Sequence, residues 1–250
     1  FSLEDKTLKS ILRVKDGFIF NQLMVLAKNG FSPSTINLYT YCRKQFYFEK
    51  ILGVSKQEDI EISIDKAMMG SIIHLVLQKL YTPYIGICLD EKSIINIQGE
   101  IIIELINALK HYHIDNTNRG KNLLAIEAIK SIITNFIDHE HNLIKCGNKI
   151  TIEFLEHEIL PQKLNTKLLE SVNPQFQNIE INLKGHIDRV DVFNNTYRII
   201  DYKTGLIQDS DLKSMDLNDM PAKPKVLQVL LYAWLFKKKK DIKSIPILAG

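Results

Sequence analysis

Leu183-Lys184-Gly185-His186-Ile187-Asp188-Arg189-Val190-Asp191-Val192-Phe193 runs into Asn194-Asn195 and out again as Thr196-Tyr197-Arg198-Ile199-Ile200-Asp201-Tyr202-Lys203-Thr204-Gly205. Both arms are rich in β-branched and aromatic residues, the composition of strands on a packed sheet. Asparagine tolerates the positive φ that a two-residue primed turn demands. With Asn194 and Asn195 as the loop, Asp191 falls opposite Arg198 and Asp188 opposite Asp201. The first pair predicts a cross-strand ion pair on one face. The second puts two carboxylates on the other face, with β-carbons roughly 5 Å apart, beside Val190, Val192, Tyr197 and Ile199. On a largely apolar surface, either one carboxyl stays protonated or a cation holds both ionised. Lys203 lies two residues beyond Asp201, on the same face. An acidic pair with a lysine beside it suits a divalent cation and a phosphate better than it suits a core.

The rest of the chain sets bounds. Its 250 residues are 45% hydrophobic and 24% charged, ordinary values for a globular protein of one large or two small domains. No apolar run approaches the roughly 20 residues of a membrane span, so no membrane association is expected. A formal charge of only +3 means that any nucleic-acid binding must come from local patches. Cys42, Cys88 and Cys146 are widely separated and odd in number; they fit a reducing cytoplasm and make neither a disulfide framework nor a zinc ribbon. The chain starts at Phe1 without a visible signal peptide and stops as a strand begins at Ser244–Gly250, as expected of a fragment of a longer protein.

Hydrophobic periodicity divides the chain into a mainly helical part, residues 1–145, and a sheet core with a final helix, residues 146–250, read together as a single domain. One or two amphipathic helices are expected before Gly30. Ser32-Pro33-Ser34 is a helix start, with a hydroxyl cap and proline in the first turn. That helix should run to about Lys50. A second, Lys66 to Tyr81, carries His74. Glu91 to Ile144 is helical with a break near residues 115–120. Lys149 to Leu160 alternates as a strand. Residues 206–224 form a polar, proline-bearing loop, and a last helix runs from about Lys225 to Lys238. The fold class is α/β, a small sheet flanked by helices, with the chemistry on the sheet.

Five ordered patches then resemble one family. They are Ser32–Phe48, Met69-Gly70-Ser71-Ile72-Ile73-His74-Leu75-Val76-Leu77, Gly185-His186-Ile187-Asp188, Asp201-Tyr202-Lys203-Thr204-Gly205, and Gln228-Val229-Leu230-Leu231-Tyr232. Together they look like the PD-(D/E)XK nuclease core, and more narrowly like the RecB/AddB-type exonuclease domain. The resemblance implies a restriction-endonuclease-like core with a small mixed sheet. It implies that Asp188, Asp201 and the backbone carbonyl of Tyr202 ligate Mg²⁺ or Mn²⁺, with His74 joining the metal site. Hard oxygen ligands suit either ion, and an imidazole tilts the preference toward Mn²⁺. Lys203 would set its charge beside the attacking water and the scissile phosphate. Gln228 and Tyr232, spaced i, i+4 on one helix face, would contact substrate or hold Lys203. His186 is read as structural, Arg189 equally as a phosphate contact or a local ion-pair partner, and Glu156 and Glu158 as minor candidates on the preceding strand.

The same resemblance implies a metal-dependent deoxyribonuclease, an exonuclease working on single-stranded DNA beside a helicase motor in double-strand-break repair. No Walker A loop lies in this chain, so the motor would be elsewhere. Many AddB-like nucleases carry an iron–sulfur cluster. Cys42 stands at the place of its first cysteine, followed by Arg43 where proline is common, but the later trio is missing, so the cluster cannot form within these residues. Two other readings share the motifs: a non-catalytic DNA-binding module with a nuclease fold, and a nuclease of CRISPR adaptation.

Overall fold

The computed structural model describes residues 17–54, 64–114, 120–164, 180–205, 208, 223–240 and 246–250. The chain divides into two compact units. One contains residues 1–56 and 160–185, the other residues 57–159 and 186–250.

In the first unit, helix α1 (Gly17–Asn29) stops where Gly30 turns to a φ of +89°, a left-handed conformation that glycine adopts without strain. The Asn182 side chain donates to the Lys28 carbonyl near that helix end at 2.7 Å. Ser32 caps helix α2 (Pro33–Tyr41), its hydroxyl accepting from Thr35 N, as the Ser-Pro-Ser start predicts. The single helix expected to Lys50 is instead interrupted at Cys42, whose backbone is extended. A short helix α3 (Arg43–Phe46) restarts there, with the Cys42 sulfur accepting from Gln45 N, and a π-helical turn follows at Tyr47–Ile51. The thiol thus substitutes for the usual hydroxyl cap. Phe46 is buried and meets Tyr39 edge-on.

The second unit holds the main core. Helix α4 (Lys66–Tyr81) starts at Asp65, whose carboxylate accepts from Met68 N. Helices α5 (Glu91–His111) and α6 (Gly120–Lys145) pack against it and each other. Ile72, Ile73, Val76, Leu77 and Leu80 of α4 meet Ile94, Ile97, Ile101 and Leu105 of α5, and Ile129, Ile133 and Ile137 of α6. Ile150 and Ile152 of strand β1 (Ile150–Lys163) close this core. At 25 cal/mol per Å² of apolar area, each such isoleucine or leucine contributes roughly 1.5–3 kcal/mol.

Strands β1, β2 (Asn182–Phe193), β3 (Thr196–Ile200) and β4 (Ile247–Ala249) form one sheet in chain order. The β2–β3 hairpin has the register expected from its asparagine turn: Asp191 faces Arg198 and Arg189 faces Ile200. Asn194 and Asn195 both take positive φ, 47° and 67°. β4 joins β3 in parallel, so the sheet is mixed. Helix α7 (Pro224–Lys240) lies on one sheet face, where Phe236 meets Tyr197 and Phe154. No helix among the described residues is long and apolar enough to cross a membrane. Most of the loop expected at 206–224 lies outside the described residues, as do residues 1–16.

Candidate active site

The hairpin presents two faces of opposite character. On one, Arg189 and Asp191 are fully buried. Arg189 donates to Glu140 of α6 at 2.7 Å and pairs with Asp191 at 2.6 Å, while Arg198 grips both Asp191 oxygens at 2.8 and 2.9 Å. The Tyr81 hydroxyl donates to Glu140, and the Arg189 guanidinium lies over the Tyr81 ring at 4.8 Å. Burial opposes the arginine's charge, but Glu140 and Asp191 hold it firmly protonated. Burial also keeps the Tyr81 and Tyr202 hydroxyls protonated. Two cations meet two anions here, so this face is neutral and closed. Arg189 is therefore a local ion-pair partner and not a phosphate contact.

The other face is not balanced. Asp188 is buried, and its Oδ2 accepts from Tyr202 N at 2.7 Å. β3 ends at Ile200, so Asp201 stands just past the ladder, directly beyond the Arg189–Ile200 pair. Asp201 forms an ion pair with Lys203, and its Oδ1 accepts from the Gln228 amide at 3.0 Å. The same amide donates to the Tyr232 hydroxyl at 3.0 Å, which leaves that hydroxyl its own proton to donate. Burial first, then the Asp201 and Asp188 charges, push Tyr232 up to about 12, against the opposing Gln228 hydrogen bond. The i, i+4 pair thus faces Asp201, and the direct hold on Lys203 is Asp201 itself.

His74 brings α4 to this face. Its Nε2 donates to the Tyr202 carbonyl at 3.1 Å. That fixes the ring and turns the Nδ1 lone pair of the neutral tautomer toward Asp188 Oδ1 at 3.6 Å and Glu156 Oε1 at 3.7 Å. Both distances are too long for hydrogen bonds. His74, Glu156 and Asp188 offer one ligand atom each, all within 4.8 Å of one another. Glu156 enters through a backbone kink, a φ of +46° inside β1. A left-handed residue within a strand marks a bulge that re-aims side chains. The burial pattern shifts with it, from even positions at Ile150 and Ile152 to an odd one at Ile159. Strict alternation over Lys149–Leu160 therefore fails at the residue that matters. The other Glu156 oxygen pairs with His186 Nε2 at 2.6 Å, so His186 supports the site from its rim. Glu158 is exposed and makes no part of the cluster.

The electrostatics follow from this crowding. Burial pushes Asp188 up to about 6; His74 pulls it back and Asp201 pushes it further. Burial would raise Glu156 too, but the His74 and His186 imidazoles hold it below its usual range. His74 is raised, first by Glu156, against burial, with Asp188 and the Tyr202 carbonyl adding to the effect. Among the described residues, Asp188, Asp201 and Glu156 face one lysine ammonium, that of Lys203, with the imidazoles of His74 and His186 beside them. With both imidazoles neutral, the carboxylates exceed the ammonium by two charges, which is the charge of one divalent cation. Nitrogen and carboxylate donors that share a space without bonding each other suit such an ion. Of the four ligands expected, His74 and Asp188 line that space. Asp201 and the Tyr202 carbonyl adjoin it and are engaged by Lys203 and Gln228, and by His74. Glu156, a minor candidate from the sequence, is the third member of the trio.

A family model for the PD-(D/E)XK nuclease superfamily matches residues 30–247. No curated protein matches the chain. The four-stranded mixed sheet flanked by helices is the restriction-endonuclease-like fold of that superfamily, whose nucleases use divalent metals. The match spans most of the chain and includes strands β1 to β3 and the side chains of the unbalanced face: this protein belongs to the PD-(D/E)XK nuclease superfamily.

Proposed function

We propose that the chain is a Mg²⁺- or Mn²⁺-dependent deoxyribonuclease, acting as an exonuclease beside a helicase motor in double-strand-break repair. The observation that carries the catalytic reading is the convergence of Asp188, Asp201 and Lys203 on one face, next to His74 and Glu156. Asp188, Glu156 and His74 are the residues to hold the ion, with Asp201 and the Tyr202 carbonyl within its surroundings. Bound there, the cation would acidify a water and polarise a phosphate oxygen.

The side chains supply the rest. The Lys203 ammonium, anchored by Asp201, offers a fixed positive charge to a phosphate whose own charge grows as water attacks. Gln228 fixes Asp201 and Tyr232 together, so the carboxylate cannot swing away from the lysine. The protonated Tyr232 hydroxyl is a donor to the substrate backbone. Hydrolysis adds the water oxygen to phosphorus and breaks one P–O ester bond. The departing oxygen takes up a proton, which the water gives up in the same balance.

The RecB/AddB-like order of the motifs supports the finer reading: single-stranded DNA as substrate and a helicase region or subunit as partner. The free thiols of Cys42, Cys88 and Cys146 fit a cytoplasmic protein. The test is a digestion assay on labelled single- and double-stranded oligonucleotides, with and without Mn²⁺, comparing wild type with Asp201→Ala and Lys203→Ala. Metal-dependent cleavage lost in both variants is expected. Equal cleavage by all three would remove the catalytic assignment.

A further inference from the structure

Beside the metal-ligand trio lies an open cleft of about 460 Å³, and His74 and Glu156 form one of its walls. Its floor is one face of α4, where Ala67, Ser71, His74 and Gln78 recur at helical spacing. Tyr112, half-buried at the end of α5 and packed in part against the core, also lines the cleft, with Leu75 adding apolar surface. The volume falls within the range of roughly 300–1,000 Å³ that holds a small organic group.

The charge of the cleft decides which part of a nucleotide it suits. Among the described lining residues Glu156 alone carries a fixed charge, and it is negative. No lysine or arginine is among the described residues that line the cleft. A phosphate would be repelled here, whereas the cation site and Lys203 attract it next door. A neutral, flat, hydrogen-bonding group meets none of that repulsion. Tyr112 offers a π-face, Gln78 an amide with both donors and an acceptor, and Ser71 a hydroxyl.

We propose that this cleft seats the base of the nucleotide adjoining the scissile phosphate, stacked on Tyr112 and touched at its edge by Gln78. The assignment rests on the nuclease reading above and deepens it. The base anchors the chain while its phosphate lies over the His74–Glu156–Asp188 cluster. Seating one base in a cleft of this size requires an unstacked strand, because a paired base cannot leave its duplex without losing its partners. Stacking is tolerant of sequence, so the cleft grips any base and selects for single-strandedness.

The experiment is an abasic scan. A set of single-stranded oligonucleotides, each lacking one base at a successive position, is measured for cleavage with Mn²⁺ and for binding by fluorescence anisotropy with Ca²⁺. Wild type should show one sensitive position next to the cut phosphate, where losing the base weakens binding and kcat/KM by roughly 5- to 100-fold. Tyr112→Ala should bind the intact strand weaker by a similar factor and show no further loss at that position. Tyr112→Phe should keep the sensitivity, while Tyr112→Leu, which keeps apolar bulk without a π-face, should lose it; this separates stacking from a packing defect, and Gln78→Ala should weaken it partly. A flat scan with wild type, or additive losses when Tyr112→Ala meets the abasic strand, would overturn the proposal. Anisotropy reads the cleft even if no strand is cut, so failure of the nuclease reading would be told apart from failure of this one.

Discussion

The two faces of the β2–β3 hairpin are built from alternating residues of the same strands, yet they solve opposite problems. The Arg189 face sets two arginines against Asp191 and Glu140 and buries both acids with Arg189; every charge has a partner within the protein. The Asp188 face sets three carboxylates against one lysine among the described residues, Lys203, with only titratable imidazoles beside it, and so holds an excess of acid. A closed ion network holds a fold in register, whereas an unbalanced one stores a demand for a ligand. The difference is visible in the acids themselves. Asp191 sits between two guanidinium groups, while Asp188 is pushed up to about 6 by burial. Moving one residue along a strand, from Asp188 to Arg189, crosses from chemistry to architecture.

The largest expected effect is on the open face. Asp188→Ala and Asp201→Ala should each cut the cleavage rate by on the order of 10³-fold or more, because each removes an anion that holds the cation or the lysine in place. Initial rates at saturating Mn²⁺, with circular dichroism to confirm folding, check this. If either variant kept wild-type rates, the division between the two faces would be wrong.

On the closed face the expected loss is of stability. Glu140→Ala removes a partner from an arginine that is fully buried, and breaking a buried pair from one side costs about 3–5 kcal/mol. Asp191 still contacts Arg189, so the lower end is expected. Urea denaturation reads the change in midpoint. A loss under about 1 kcal/mol would mean that water reaches this network.

A third outcome reverses the usual sign. Asp188 ionises near 6 in the folded protein and near 3.8 as an ordinary aspartate, so the native state holds its proton more tightly. Native stability therefore falls as pH rises from about 4 to 6, and the penalty is complete above that window. Asp188→Asn should remove the penalty. In metal-free buffer with chelator, the variant should be more stable than wild type at pH 8 by up to about 3 kcal/mol. The gap should close as pH falls toward 4. Added Mn²⁺ should stabilise wild type and not the variant. Thermal melts over pH 4–8 measure all three arms, and a variant less stable than wild type at pH 8 would contradict the strained-acid account.

Much of this contrast was legible in the chain before any coordinates. The asparagine pair fixes the hairpin register, and from it follow the Asp191–Arg198 pair and the meeting of Asp188 with Asp201. His74 and the Gln228–Tyr232 spacing also land at the site. What stayed hidden depends on partners distant in sequence or on a backbone irregularity. Glu140 is one acidic residue on a long amphipathic helix, and nothing nearby marks it as the partner of an arginine 49 positions away. Glu156 is read from the sequence only as a minor candidate, because the strand kink at that residue is announced by no periodicity. The interruption at Cys42 is similar, since a cysteine cap carries a weaker signal than serine or aspartate.

The smallest expected effect concerns the turn that both faces share. Asn195 holds a φ of 67°, in the left-handed region where a Cβ is unfavourable and glycine is at ease. Asn194 also turns left-handed, but its side chain accepts from Lys149 N at 2.9 Å and donates to Asn148 at 2.8 Å, so it should be left alone. Asn195→Gly produces the Asn-Gly pair that two-residue primed turns favour most. Relief of strain should outweigh the added freedom of the unfolded chain and stabilise by up to about 1 kcal/mol. Because the turn sets the register of both faces at once, the gain should appear in the urea midpoint with Mn²⁺ affinity and cleavage rate unchanged. A shift in metal affinity would show that the turn strains the open face selectively, and that the two sides of the hairpin are not independent.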